Sequence, residues 1–172
     1  GVFRPDLDAR LRISGKAPDL VRRLDALTED AAFVLGHNVV AFDQPALARL
    51  YPGLALHRLP LVDTLELSPV AFPQNPYHRL VKDYKLCTTT RNDPVRDAEL
   101  AYALFLDQRE ALLTRVAEHP DEALCLHFLL SPEPGKGVSN FFTNLRGAVC
   151  PSLDKVVVAW QRATAGKVCL TA

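Results

Sequence analysis

Apolar positions in the first two thirds of the chain come in short runs, and their spacing switches between strand and helix periods. Val2–Arg4 and residues 11–13 read as strands interrupted by the polar turn 5–8. Residues 14–18 form a loop, and Pro18 suits the first turn of a helix whose Leu20, Val21, Leu24 and Leu27 fall on one face. Residues 32–35 predict a buried strand ending at Gly36, and Asp43 with Pro45 starts a short helix through Tyr51 that Pro52-Gly53 stops. A further apolar strand spans 59–62, and Asp63-Thr64-Leu65-Glu66 then spells a capping box. Pro69, Pro73 and Pro76 predict a loop, 78–86 a brief amphipathic helix, and 88–91 a polar loop.

Asp93-Pro94 starts the longest helix, which runs to about Val116. Beyond His119-Pro120, helical segments are expected at 121–130, 139–145 and 153–163, with a loop at 132–137. Strands interleaved with helices argue for an α/β layer domain over 1–117. Residues 118–172 read as a helical extension or the start of a neighbouring region. No internal repeat or low-complexity tract is visible.

Composition narrows the function classes only a little. The 172 residues suffice for one domain with a real core. Lys+Arg and Asp+Glu both number 20, so no basic excess advertises a nucleic-acid partner. Acids at a metal site would offset a basic groove in that sum, so a nucleic-acid enzyme is not excluded. Cys87, Cys125, Cys150 and Cys169 are scattered without a CxxC pair, as in the reduced thiols of a cytoplasmic protein. No apolar run reaches the length of a membrane span and no signal peptide opens the chain. The chain has no Met, even in first place, which predicts a processed or truncated piece. Truncation is the expected cause, because residues 1–4 read like the middle of a sheet.

Two acids stand out. Asp97 heads a stripe continued by Leu100, Ala101, Leu104 and Phe105, so it is expected on the core-facing side of its helix. There a carboxylate needs a cation, donors or a metal; a half-buried acid favoured by the helix dipole is the plainer account. Asp43 alone reads as an ordinary N-cap. The phrase His37-Asn38-Val39-Val40-Ala41-Phe42-Asp43 adds a strand end and an aromatic, expected to be buried, that would fix the carboxylate in place. His78 is either a general base or a structural residue beside Tyr77. Lys82 and Lys85 either touch phosphates or form a solvated face. His57, His119 and His127 receive no role.

Taken together, His37-Asn38…Phe42-Asp43, Val62-Asp63-Thr64-Leu65, His78…Leu80 and the Asp97 helix resemble the DEDD 3′–5′ exonuclease superfamily. Residues 77–86 followed by Asn92-Asp93-Pro94-Val95-Arg96-Asp97-Ala98 look most like the DEDDh-type exonuclease domains fused to RecQ-like DNA helicases. The resemblance covers residues 2–117. It implies a ribonuclease-H-like fold, here without its first strands, in which four carboxylates hold two Mg²⁺ or Mn²⁺ ions at a nucleic-acid 3′ end, with DNA the expected substrate. Asp43 and Asp97 match the acids of the second and third motifs, and His37, Asn38, Lys82 and Lys85 become candidate nucleic-acid contacts.

Two departures bear on activity. No Asp-x-Glu precedes Gly36; Asp6-Leu7-Asp8 imitates it only in a turn. Asn92 occupies the position of the family's catalytic His, and an amide cannot accept a proton near neutral pH, which leaves His78 as the substitute. The segment alone is therefore expected to be inactive. The competing expectations are a non-catalytic nucleic-acid or protein docking module, and an α/β domain whose acids are only caps.

Overall fold

The computed structural model describes residues 1–12, 19–75, 93–131 and 137–165. The fold is mixed α/β, and it divides into a unit over residues 1–108 and a unit over 109–172, the boundary falling inside one long helix. No described helix is long and apolar enough to cross a membrane.

In the first unit, β1 (Val2–Arg4) pairs antiparallel with β2 (Ala9–Leu11), with Phe3 opposite Arg10. The second strand thus lies earlier than the 11–13 expected. One turn of 3-10 helix at Pro5–Leu7 and a left-handed Asp8 close the hairpin, and that register brings Ala9 opposite Arg4. Arg4 fastens β1 to the next helix: its guanidinium donates to the carbonyls of Leu27 (3.0 Å) and Glu29 and pairs with Asp6.

Helix α1 (Leu20–Thr28) buries Leu24, and Leu20 and Leu27 pack beside it, but Val21 stays exposed. These residues join Leu11, Leu54 and Leu56 in one apolar cluster. Asp25 at the end of α1 accepts the Ala55 amide at 2.8 Å, holding the short turn Ala55–Arg58 that carries Leu56.

The second sheet is a parallel pair, β3 (Val34–Gly36) and β4 (Leu61–Asp63), with Gly36 level with Asp63. Helix α2 (Gln44–Leu50) follows β3, and α3 (Thr64–Ala71) leaves β4 directly. Pro69 does not break α3 as expected. The helix is held from outside, by the Gln108 side-chain amide donating to the Thr64 carbonyl (2.8 Å) and to the Ser68 hydroxyl (2.7 Å).

Gln108 belongs to α4 (Pro94–Glu118), the longest helix, which starts where Asp93-Pro94 indicates. The Asp93 carboxylate caps it by accepting the Val95 amide at 3.0 Å. Leu100, Ala101, Phe105, Gln108 and Leu112 are its buried positions, the three-and-four spacing of a helix with one inward face.

The second unit contains α5 (Pro120–Leu129), α6 (Gly137–Arg146) and α7 (Leu153–Thr164), close to the three segments anticipated. Cys125, Val156 and fully buried Ala159 pack α5 against α7, and Asp121 pairs with Arg162 through both carboxylate oxygens at 2.6 and 2.9 Å. Burial raises the Cys125 thiol pKa, with Asp121 and Glu122 adding to the rise, so it remains protonated.

Candidate functional site

The candidate site grows out of the end of β3. Gly36 ends the strand because nothing larger fits: a Cβ placed there would stand 2.6 Å from that of Val39. His37 follows, then Asn38 in the left-handed region at φ 61°. The chain next makes a wide turn over Val39–Asp43, in which the Gln44 amide donates five residues back to the Val39 carbonyl. Such π turns within helices are uncommon and often sit at functional positions.

An acid on the neighbouring strand builds this turn. The Asp63 carboxylate, 2% exposed, accepts the amides of Asn38 (2.7 Å), Val40 (3.1 Å) and Leu65 (2.9 Å). One carboxylate therefore caps α3 and holds both the left-handed residue and the following turn. The capping role was legible in the sequence; the long-range role was not. The available signal was an acid at the junction of an apolar strand and a helix, a place where the carboxylate must be buried and supplied with donors.

Thr64, fully buried beside it, donates from its hydroxyl to the Gly36 carbonyl at 3.3 Å. With that proton committed, the 2.9 Å contact between Thr64 Oγ1 and His37 Nδ1 requires the imidazole to be the donor. Burial lowers the His37 pKa and Asp63 partly opposes this, so the ring is held neutral in one tautomer.

Two expectations about this segment are corrected. Phe42 is not a buried aromatic; it is 73% exposed, because the π turn rotates it outward. Asp43 is not an N-cap: its backbone is already helical and its side chain caps nothing, the turn being secured by Asp63 instead. Its carboxylate stands exposed at the start of α2.

Asp97 is also exposed, on the first turn of α4, and not turned into the core. The apolar stripe it heads goes inward only from Leu100. Asp43 and Asp97 nevertheless both act electrostatically on one group, the Gly1 amine. Burial pulls the Gly1 amino group below its ordinary pKa, while Asp43, Asp93 and Asp97 all act on that same group in the opposite sense. Gly1 itself lies against the first turn of α4, where a Cβ would overlap the Pro94 carbonyl and the Val95 amide. Asp93 is committed to its capping bond and faces Arg12 at 3.9 Å.

His78, Lys82, Lys85 and Asn92 lie outside the described residues, as do the helix expected at 78–86 and the loop at 88–91. Among the described residues no group of three His, Cys, Asp or Glu side chains is disposed to hold a metal ion. Asp43 and Asp97 by themselves do not fit a pair of divalent ions, each of which requires several oxygen ligands.

A second buried polar group, in the other unit, escaped sequence analysis. His127 is fully buried and stacked on Phe142, with ring centroids 5.7 Å apart. Arg146 donates to its Nδ1 at 2.7 Å, so the neutral ring carries its proton on Nε2, towards Thr143 Oγ1 at 3.5 Å. Desolvation lowers the His127 pKa, and the Arg146 charge lowers it further. A lone His in a helical segment gives no local sign of such an arrangement. No protein-family model, curated protein or solved structure matches this chain.

Proposed function

We propose that the chain is part of a metal-dependent 3′–5′ exonuclease domain of the DEDD type, with a ribonuclease-H-like fold. Its substrate would be nucleic acid, at DNA 3′ ends, beside a RecQ-like helicase in the same polypeptide or assembly. The observation supporting this reading is that Asp43 and Asp97, from distant parts of the sequence, both stand exposed and both act on the Gly1 amine. An antiparallel hairpin, a parallel strand pair and a long helix bearing Asp97 are compatible with that fold.

Mg²⁺ or Mn²⁺ belongs to the whole domain in this reading. The described carboxylates do not suffice for it, so no hydrolytic step is assigned to this segment. What these residues contribute is placement. Asp63 holds the Asp43 turn, and the Thr64–His37 bond fixes the imidazole at the head of that turn.

The test compares the full encoded polypeptide with the 172-residue chain on a DNA labelled at its 3′ end, with Mn²⁺ present. The full polypeptide should release nucleotides and lose that activity on Asp43→Ala or Asp97→Ala, while the 172-residue chain should release none. Metal-dependent release by the short chain, abolished by Asp43→Ala, would refute the division of the site proposed here.

One specific feature favours a second reading, a binding module without chemistry: Asn92 stands where the family has its base. Thermal stability separates the two. A complete four-acid site gains stability from Mn²⁺ by mass action, whereas a binding module shows no such gain.

A further inference from the structure

Helix α7 carries two apolar faces, and its seam with α5 covers one of them. The two helices run antiparallel. Asp121 at the head of α5 pairs with Arg162 at the end of α7, and midway the Cys125 thiol meets the Val156 carbonyl at 3.8 Å. Val156 and Ala159 are buried in that seam. One residue after each of them, about 100° further round the helix, stand Val157 and Trp160, 46% and 50% exposed. Leu153, one turn earlier, is 60% exposed. The i, i+4, i+7 spacing stacks Leu153, Val157 and Trp160 into one ridge about 10 Å long. By the antiparallel register, exposed Leu129 at the end of α5 comes level with Leu153, and exposed Val149 precedes the helix.

Exposed apolar side chains are ordinary when scattered singly, but a contiguous group marks a contact surface. Half of a Trp side chain is on the order of 100 Å², and the five residues together expose on the order of 500 Å². A stable two-chain interface takes about 600–1,000 Å² from each partner. The ridge with its polar margins is therefore large enough to supply one partner's share.

The ridge is also its own complement. Turned end for end about a two-fold axis through Val157, it sets Val157 against the second copy's Val157. The same rotation sets Leu153 against the second copy's Trp160. The small β-branched residue falls where two helix backbones come closest, and the larger side chains fill the diverging ends. Along the free margin, Asp154 comes level with the second copy's Gln161, an acceptor facing an amide donor. The antiparallel arrangement also opposes the two helix dipoles.

We infer that this face of α7 docks a second copy of the chain, the two α7 helices packing antiparallel across a two-fold axis at Val157. Closed two-fold dimers are the commonest soluble homo-oligomers, and they require a self-complementary patch of this kind. The inference concerns the second unit and stands apart from the nuclease reading.

Sedimentation velocity of the whole 172-residue chain tests it. The mass should rise from 19.0 kDa towards twice that value as concentration passes through the micromolar range. Acrylamide quenching of Trp160, the only Trp, should fall in step. Val157→Lys should weaken the dimer about 30-fold or more, the effect of disrupting an interface hot spot. Val158→Lys should leave it intact, because Val158 is as exposed, at 49%, but lies about 100° off the ridge. Leu153→Glu and Trp160→Lys should each weaken the dimer, and combining them should recover part of the loss, because the two-fold pairs position 153 with position 160. Unchanged far-UV circular dichroism separates loss of the dimer from loss of the fold. The inference is overturned by a mass that stays at 19.0 kDa, with Trp160 either quenched freely or shielded within one chain. Equal weakening by Val157→Lys and Val158→Lys overturns it too, as does a double variant no tighter than the single ones.

Discussion

Replacing Asp63 by Ala removes one buried carboxylate and strands three backbone donors, the amides of Asn38, Val40 and Leu65 at 2.7, 3.1 and 2.9 Å. Each buried donor left without a partner costs about 1–3 kcal/mol, and loss of a helix N-cap costs about 1 kcal/mol. Water re-entering around half-exposed Asn38 offsets part of this, so a total of about 3–5 kcal/mol is expected. Set against a typical stability of about 5–15 kcal/mol, that would bring the first unit close to unfolding. Asp63→Asn retains an oxygen for Asn38 and Leu65 but sets an NH₂ against the Val40 amide, and should cost about 1–3 kcal/mol. Urea denaturation followed by far-UV circular dichroism measures the loss. Trp160 fluorescence follows the second unit separately, since that unit contains the only Trp. If Asp63→Ala stays within about 1 kcal/mol of the parent chain, with the Asn38 and Val40 amides still protected from exchange, the role assigned to Asp63 is wrong.

Further outcomes follow from individual sites. Gly36→Ala should displace the 37–43 turn, because the new methyl group meets Val39, and cost about 1–3 kcal/mol; faster exchange at Asn38 would report it. Ala159→Leu overfills the α5–α7 contact, and the transition seen by Trp160 should come about 1–3 kcal/mol earlier. His127 and His37 both have pKa values held below the ordinary one. The unfolded chain takes up protons near pH 6.5 that the folded chain refuses. The stability conferred by the neutral rings is thus complete above about pH 6.5 and is lost as pH falls towards the folded-state values. His127→Gln should flatten the acid side of the Trp160 melting profile; an unchanged slope would show that His127 does not carry it.

Local chemistry made the helices readable in advance. Asp93-Pro94 opens α4, Pro120 opens α5, and apolar spacing marks the inward face of α4. Those signals act within a turn or two, so one sequence suffices to expose them. Strand positions were legible to within two residues for a similar reason, although only pairing with β1 decided that the second strand is Ala9–Leu11.

The environment of the acids was decided elsewhere. Asp43 read as a cap and Phe42 as buried, because nothing near them reveals that Asp63 takes the amides of Asn38 and Val40. Pro69 read as part of a loop, yet Gln108 of α4 holds α3 around it. Sequence alone determined the order of elements and named Asp43 and Asp97 as the acids to follow. Tertiary structure determined that both stand exposed and that Asp63 is the buried acid shaping the turn before Asp43. Capping and periodicity act between neighbours along the chain, whereas burial of a carboxylate and pairing of strand edges depend on groups that only folding brings together.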